Sequence, residues 1–384
     1  MKNKKTYLVI GLLVIILLIC VYYVANLNDK NSNTIKIGGL FALTGKWQTG
    51  GETEANFAKI AIDEINNNGG VLGKKVEFVL EDDKCSGKDA LSAAQKLVEK
   101  DGVDIVLGPS CTPASQSVAP YLNSKDKLLI AFSTTAAGIF NNFPYAFRTS
   151  PPATDASKLI AEIAINKYKK NKVAIITEQT DFAKTWSDGF AKTFTEKGGE
   201  IVFTEDYITG VSDFRSIISK LATKKPDIIF ISSQAPQDSG LFVKQISEMG
   251  YLDDFQISGN PTLIDSKTRD VFGSIPSNYF SVAPYSENDV LLKKYREKYK
   301  QEPGFQFFYA ASAYDMVYVL KDAIEHCRSA NSKCVKKYLD DLNNYEGVVA
   351  KWSFNEFGDA VLPVESYKEI RFSGDKIIYD NIIR

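Results

Sequence analysis

From residue 35 onward two hydrophobic rhythms alternate along the chain. "IKIGGLF" (35–41), "KKVEFVLEDD" (74–83), "VDIVLGPS" (103–110) and "LLIAFSTT" (128–135) are short β-branched runs that read as strands. Between them lie stretches with helical spacing. In 52–70, Phe57, Ile60, Ala61 and Ile65 share a face, and Asn and Gly residues end the run. In 88–100 the face is Leu91, Ala94, Leu97 and Val98. The rhythm restarts after "YAFRTSPPATD" (145–155), with helices predicted over 155–168, 183–197, 213–222 and 237–249 and strands over 172–178, 200–207, 226–233 and 255–260. Residues 288–342 are mostly helical, and the tail carries strand-like pieces at 348–354, 366–372 and 376–383.

Strands and helices that alternate with short connections build parallel sheets covered on both faces. Two such series predict an α/β protein with two doubly wound, parallel-sheet lobes. The first series ends near 149 before using the helices at 288–342, so the chain is expected to return to the first lobe and finish on the second. Crossings near 149, 281 and 354 assign 34–149 plus 281–354 to lobe 1 and 150–280 plus 355–384 to lobe 2.

Ahead of this body, Lys2, Lys4 and Lys5 precede an uncharged run from Tyr7 to Ala25. As a helix that run rises about 28 Å, close to the thickness of a bilayer's hydrocarbon core. One N-terminal transmembrane helix is expected over 1–26, uncleaved, with the lysines inside and a polar tether at 27–33. A cleaved signal and a lipid anchor at Cys20 are the alternatives. The body is then extracytoplasmic, where disulfides persist. The four cysteines beyond Cys20 allow three connectivities. The pairing Cys85–Cys111 with Cys327–Cys334 is preferred, because the last two share a short helix–turn–helix stretch. Zinc is the rival, but C-x6-C without neighbouring histidines is a poor metal spacing.

With 46 basic against 47 acidic residues and no basic stripe, nucleic-acid binding has no support. No nucleophile-elbow, zinc-protease, P-loop or dinucleotide motif is present. The single histidine, His326, reads as a surface residue, and Asp82, Asp83 and Asp89 as solvated strand-end charges. No cofactor, metal or catalytic residue is expected.

Ligands in open α/β sheets bind outside the carboxyl ends of strands. The loops there hold two hydroxyl clusters, Ser110 with Thr112 and Thr134 with Thr135, suited to an anion or carboxylate. Each hydroxyl taken alone is also a plausible helix cap. The second series contributes Phe182, Gln234 and Asn260.

These residues resemble a known family. "IKIGGLFALTGKWQTGG", "AIDEINNNGG", "EDDKC", "GPSCTPASQSVAP", "TEQTDFAKTWSDGF" and "FYAASAYDM" are similar, in order and spacing, to the type I periplasmic binding proteins, and within them to the leucine/isoleucine/valine-binding proteins of ABC transporters. The likeness spans 34–360. It implies the type I fold with a three-segment hinge, a disulfide from the cysteine after the second strand (Cys85) to the one after the third (Cys111), and a small ligand held between closing lobes. It also implies that Thr112, Thr134 and Thr135 hold the ligand's carboxylate, with Ser110 close by, and that Phe182 covers the ligand. Two positions depart from the pattern. Asn260 stands where amino-acid binders place an ammonium-binding carboxylate, and Gln234 where an aromatic is common. An amide can accept from an ammonium but cannot neutralise it. Asp181 is therefore the candidate substitute, and Trp47 and Tyr309 are candidate rim residues. The function expected is a solute-binding protein that hands an amino acid, branched-chain-like or related, to a permease of the branched-chain amino acid type without chemical change. An amide or urea-type binder or sensor, or a partner-protein-binding module, is the alternative.

Overall fold

The computed structural model describes residues 33–45, 47–264, 277–304, 306–374 and 376–382. The expected anchor over 1–26 lies outside them. Among the described residues no helix is long and apolar enough to cross a membrane.

The first sheet has five parallel strands in the order β2-β1-β3-β4-β5: β1 (Thr34–Phe41), β2 (Lys75–Asp82), β3 (Ile105–Leu107), β4 (Leu128–Ala131) and β5 (Ala146–Arg148). Helices α1 (Gln48–Asn67), α2 (Gly87–Gln95) and α3 (Thr112–Ser124) connect them, and α2 ends in a wider π turn over Lys96–Lys100. The second sheet begins with α4 (Ala153–Asn166) and runs β6 (Lys172–Glu178), α5 (Asp181–Glu196), β7 (Glu200–Tyr207), α6 (Arg215–Thr223), β8 (Ile228–Ser232), α7 (Pro236–Glu248), β9 (Gln256–Gly259) and β10 (Tyr279–Pro284). Helices α8 (Asp289–Tyr299), α9 (Phe307–Cys327) and α10 (Ser332–Asp340) follow. A small sheet of β11 (Tyr345–Glu346), β12 (Lys351–Phe354) and β13 (Ala360–Val361) precedes β14 (Tyr367–Ser373) and β15 (Lys376–Asn381). The seven-stranded order is β15-β14-β10-β9-β8-β6-β7. Its strands from β7 through β10 are parallel, whereas β14 and β15 add antiparallel to β10.

The central parallel strands are apolar on both faces because helices cover both, while the edge strands β2 and β7 keep polar, partly exposed positions. β8 and β10, for example, are buried at every position. Four strands escaped the periodicity reading, among them the two-residue β11 and β13. β5 has only three residues, and β10 lies where the chain was expected to leave the second lobe. The strand expected over 103–110 stops at Leu107, because the chain turns at Gly108. Gly108 has φ +98°, and a Cβ there would stand 1.8 Å from the Leu40 carbonyl oxygen, so only glycine fits.

Both preferred disulfides are present, with Cα–Cα separations of 5.8 Å for Cys85–Cys111 and 6.0 Å for Cys327–Cys334. Asp83 corrects the sequence reading. It is buried rather than solvated, because it accepts from the Cys85 backbone N–H (2.7 Å) in the turn that presents the disulfide.

Candidate functional site

The strand ends of the two sheets face a cavity of about 450 Å³, within the range of small-molecule clefts. Trp47, in the turn before α1, forms one wall. It lies against Gly50, where a Cβ would meet its Nε1 at 2.7 Å, so α1 needs glycine there to seat the indole. Ser133 and Thr135, just after β4, form the polar floor. From the second sheet come Phe182 and Trp186 on α5, Pro236 at the start of α7, and Asn260–Ile264 after β9. The approach to α9 adds Glu302, Gln306, Phe307 and Tyr309, and β15 adds Ile377 and Tyr379.

Of the residues expected from sequence, Trp47, Thr135, Phe182, Asn260 and Tyr309 line this cavity. Ser110, Thr112, Thr134, Gln234 and Asp181 are not among the lining residues. Thr134 shares a hydroxyl–hydroxyl hydrogen bond of 2.7 Å with Ser115 on α3, which engages it behind the wall. Ser110 and Thr112 are fully buried in the disulfide-bearing turn. The Gln234 backbone N–H donates to Glu178, and its side chain reaches Cys85 Sγ at 3.8 Å. Asp181 is exposed and accepts from Gln116 Nε2 (2.8 Å), so it is engaged outside the cavity.

Asn260 lines the cavity, but most of its amide is already used. Its Oδ1 accepts from the Ser233 N–H (3.1 Å) and its Nδ2 donates to the Ser233 carbonyl (2.8 Å). It therefore clamps the loop after β8. Thr135 differs: its Oγ1 is buried and has no hydrogen-bond partner among the described residues. A buried hydroxyl of this kind is costly unless something bonds to it. The only charged side chain among the described lining residues is Glu302, whose carboxylate takes both bonds from Arg296 Nε (2.7 and 2.9 Å).

Behind the floor, Glu54 on α1 is fully buried and its carboxyl contacts the Ser133 hydroxyl. Burial pushes its pKa up to about 8, the hydroxyls of Ser110 and Ser133 pull it down, and Asp83 raises it further. Asp83 is itself raised to about 7, chiefly by burial, against the pull of the Cys85 N–H. Arg148 holds the same floor from the other side. Its Nη1 donates to the carbonyls of Thr134 (3.0 Å) and Ala136 (2.6 Å), and its Nε donates to Asp359 (2.6 Å). Contacts across the cleft hold the loops of one sheet to those of the other, among them Gln116–Asp181 and the Ala137 N–H on Thr185 Oγ1 (3.3 Å).

The sequence reading missed Ser133, Glu54, Trp186 and, beside Tyr309, the wall residues Glu302, Gln306 and Phe307. Glu54 had a signal, because a carboxylate at helical spacing from Phe57 and Ala61 lies on an apolar face. Trp186 had one too, four residues after Phe182 on a helix. Glu302, Phe307 and Tyr379 had none, since only the chain's return brings them to the cleft.

A family model described as "Periplasmic binding protein" matches residues 34–364. The Leu/Ile/Val-binding protein BraC3 of Rhizobium johnstonii is 26% identical over 355 residues, covering 90% of this chain and 93% of that protein. The leucine-, isoleucine-, valine-, threonine- and alanine-binding protein of Pseudomonas aeruginosa is 27% identical over 338 residues, covering 85% of this chain and 87% of its own. Among solved structures, the branched-chain amino acid transporter substrate-binding protein LivJ of Streptococcus pneumoniae, in complex with isoleucine, superposes with a TM-score of 0.79 at 26% identity, covering 91% of this chain and 99% of that one.

Proposed function

The chain belongs to the periplasmic binding protein family, and from that premise we propose that it is an extracytoplasmic solute-binding protein. It delivers a branched-chain-like amino acid or a related polar solute to an ABC permease. The observation that carries this reading is Thr135, whose buried hydroxyl, unpartnered among the described residues, marks a polar end in a cavity that Trp47, Phe182, Trp186, Phe307 and Ile264 wall with aromatic and aliphatic side chains. A solute carboxylate accepting from Thr135 would leave an apolar side chain against Trp47, Phe182, Trp186 and Phe307. Relatives named for Leu, Ile and Val, and a similar structure holding isoleucine, fit that arrangement.

In this reading the two lobes are built on the two sheets, with the chain leaving the second after β10 rather than at 281, and they close on the solute by hinge bending. The contacts of Gln116 and Thr185 across the cleft belong to the closed form. No chemical step is performed on the solute. The N-terminal apolar run holds the body at the membrane and raises its local concentration near the permease.

A second reading has its own support. Glu302 is occupied by Arg296, and Asp181 is engaged outside the cavity. The described lining therefore offers no free carboxylate for an ammonium, which favours an amide or a simple carboxylic acid.

Thermal stability of the oxidised chain, freed of co-purified solute, tests both readings. At a hundred times its Kd, the right solute stabilises by about 2.7 kcal/mol. Stabilisation by leucine or isoleucine that is lost in Thr135→Ala supports the first reading. Response only to amides or simple acids supports the second. Silence across the panel overturns both in favour of a partner-binding module.

A further inference from the structure

We propose that Glu54 is a positioning residue that works through Ser133: protonated, it turns the Ser133 hydroxyl toward the cavity, so that holding a solute carboxylate there and holding a proton on Glu54 are coupled. This inference rests on the solute-binding reading above.

The geometry is as follows. Glu54 lies on the buried face of α1, and its carboxyl contacts the Ser133 hydroxyl, while Ser133 lines the cavity floor beside Thr135. A serine hydroxyl has one hydrogen to give. If Glu54 is ionised, it can only accept, and Ser133 spends that hydrogen on it. The cavity then meets a hydroxyl lone pair, with a buried negative charge behind it. If Glu54 is protonated, its O–H donates to Ser133 Oγ, and the serine hydrogen is free to point at a solute carboxylate next to the Thr135 hydroxyl.

Burial, with Asp83 beside it, makes the protonated form accessible near neutral pH against the pull of two facing hydroxyls. Ser110 comes from the turn after β3, Ser133 from the loop after β4, and Asp83 from the turn after β2. Asp83 is the charged group among them, and it repels an ionised Glu54. Asp82 and Asp89 act on Asp83 in the same sense. Burial pushes Glu54 up to about 8, so it carries its proton at pH 6 to 7 and loses it in mildly alkaline solution.

Two measurements on the intact oxidised chain test the proposal. The first needs no solute. In a pH titration of the carboxyl carbons of isotopically labelled glutamate, one resonance should titrate near pH 8 and be absent in Glu54→Gln. The second is calorimetric binding of leucine, isoleucine and 4-methylpentanoate from pH 6 to 9.5, the last probe having no ammonium to titrate. Wild-type affinity for a bound probe should be flat below pH 7 and then fall by up to tenfold per pH unit above about 8. Glu54→Gln, whose amide N–H can also donate to Ser133, should keep the low-pH affinity at every pH. Ser133→Ala should keep the carboxyl titration, bind more weakly, and lose most of the pH dependence.

Equal pH profiles for wild type and Glu54→Gln overturn the proposal, as does a labelled chain with no glutamate titrating above pH 7. A normal Glu54 titration in a chain that binds none of the probes places the failure in the solute-binding reading, and the coupling falls with it.

Discussion

Arg148 ties three distant stretches together through one guanidinium. It lies at the end of β5, bonds the loop that carries Thr135, and reaches Asp359 near the chain's last return. Both members of the ion pair are buried. Arg148→Met should therefore cost about 3–5 kcal/mol, because it strands the Asp359 carboxylate, and denaturant unfolding will measure it. Glu54 and Asp83 give a second expectation at this scale. Both carry folded-state pKa values raised above the ordinary carboxyl values of 4.5 and 3.8. Stability from such groups is complete below those ordinary values and declines as pH rises through about 7 and 8. Unfolding free energy should fall between pH 5 and pH 8.5, and Glu54→Gln should flatten the upper part of that fall. A wild-type profile in the variant would show that Glu54 does not bind its proton more tightly in the folded chain. At residue scale the sequence was legible where a side chain broke its element's pattern. Glu54 broke the pattern of α1 and should have been found in this way, whereas Thr135 came from the hydroxyl cluster in its strand-end loop. Asn260 was placed correctly in the wall, but its engagement with the Ser233 backbone depends on the neighbouring strand and could not be read.

The strand-end turns set the site, and the disulfide holds two of them. Cys85 follows β2 and Cys111 precedes α3, with 26 residues of separation. By unfolded-state constraint a loop of that length contributes about 3 kcal/mol. The Cys327–Cys334 bond spans only 7 residues and contributes about 2 kcal/mol. Replacing Cys85 and Cys111 together by serine should lower the denaturation midpoint more than replacing the other pair. The first change should also weaken solute binding, because Ser110, Thr112 and the Asp83 turn lie beside it. Equal losses would argue that the first bond does not organise the turn. Long elements with strong periodicity were readable from sequence; β6 and β7 fall at the expected residues. β5 was not, since three residues carry no period, and β10 was not, since an evenly buried run looks the same in either lobe.

At the scale of the molecule, the proposed closure brings polar contacts at the cleft to bear on solute affinity. Gln116–Asp181 and Ala137–Thr185 cross the cleft at its exposed edge. Net contributions near 1 kcal/mol each are ordinary for such bonds. Replacing Gln116 and Thr185 together by alanine should weaken solute affinity about tenfold and raise the radius of gyration in solution scattering without solute. An unchanged affinity would mean that these bonds do not favour the closed form. By itself the sequence determined the alternating α/β build and the polar character of the strand-end loops, because each depends on short-range periodicity or on residue type; it left three cysteine connectivities open, and the Cys85–Cys111 pair was implied by the family resemblance. Only the tertiary structure decided which hydroxyl faces the cavity, that Asp181 lies outside it, and that Glu302, Phe307 and Tyr379 complete the wall. Those outcomes come from segments far apart in the chain meeting across two sheets, and local spacing carries no record of that.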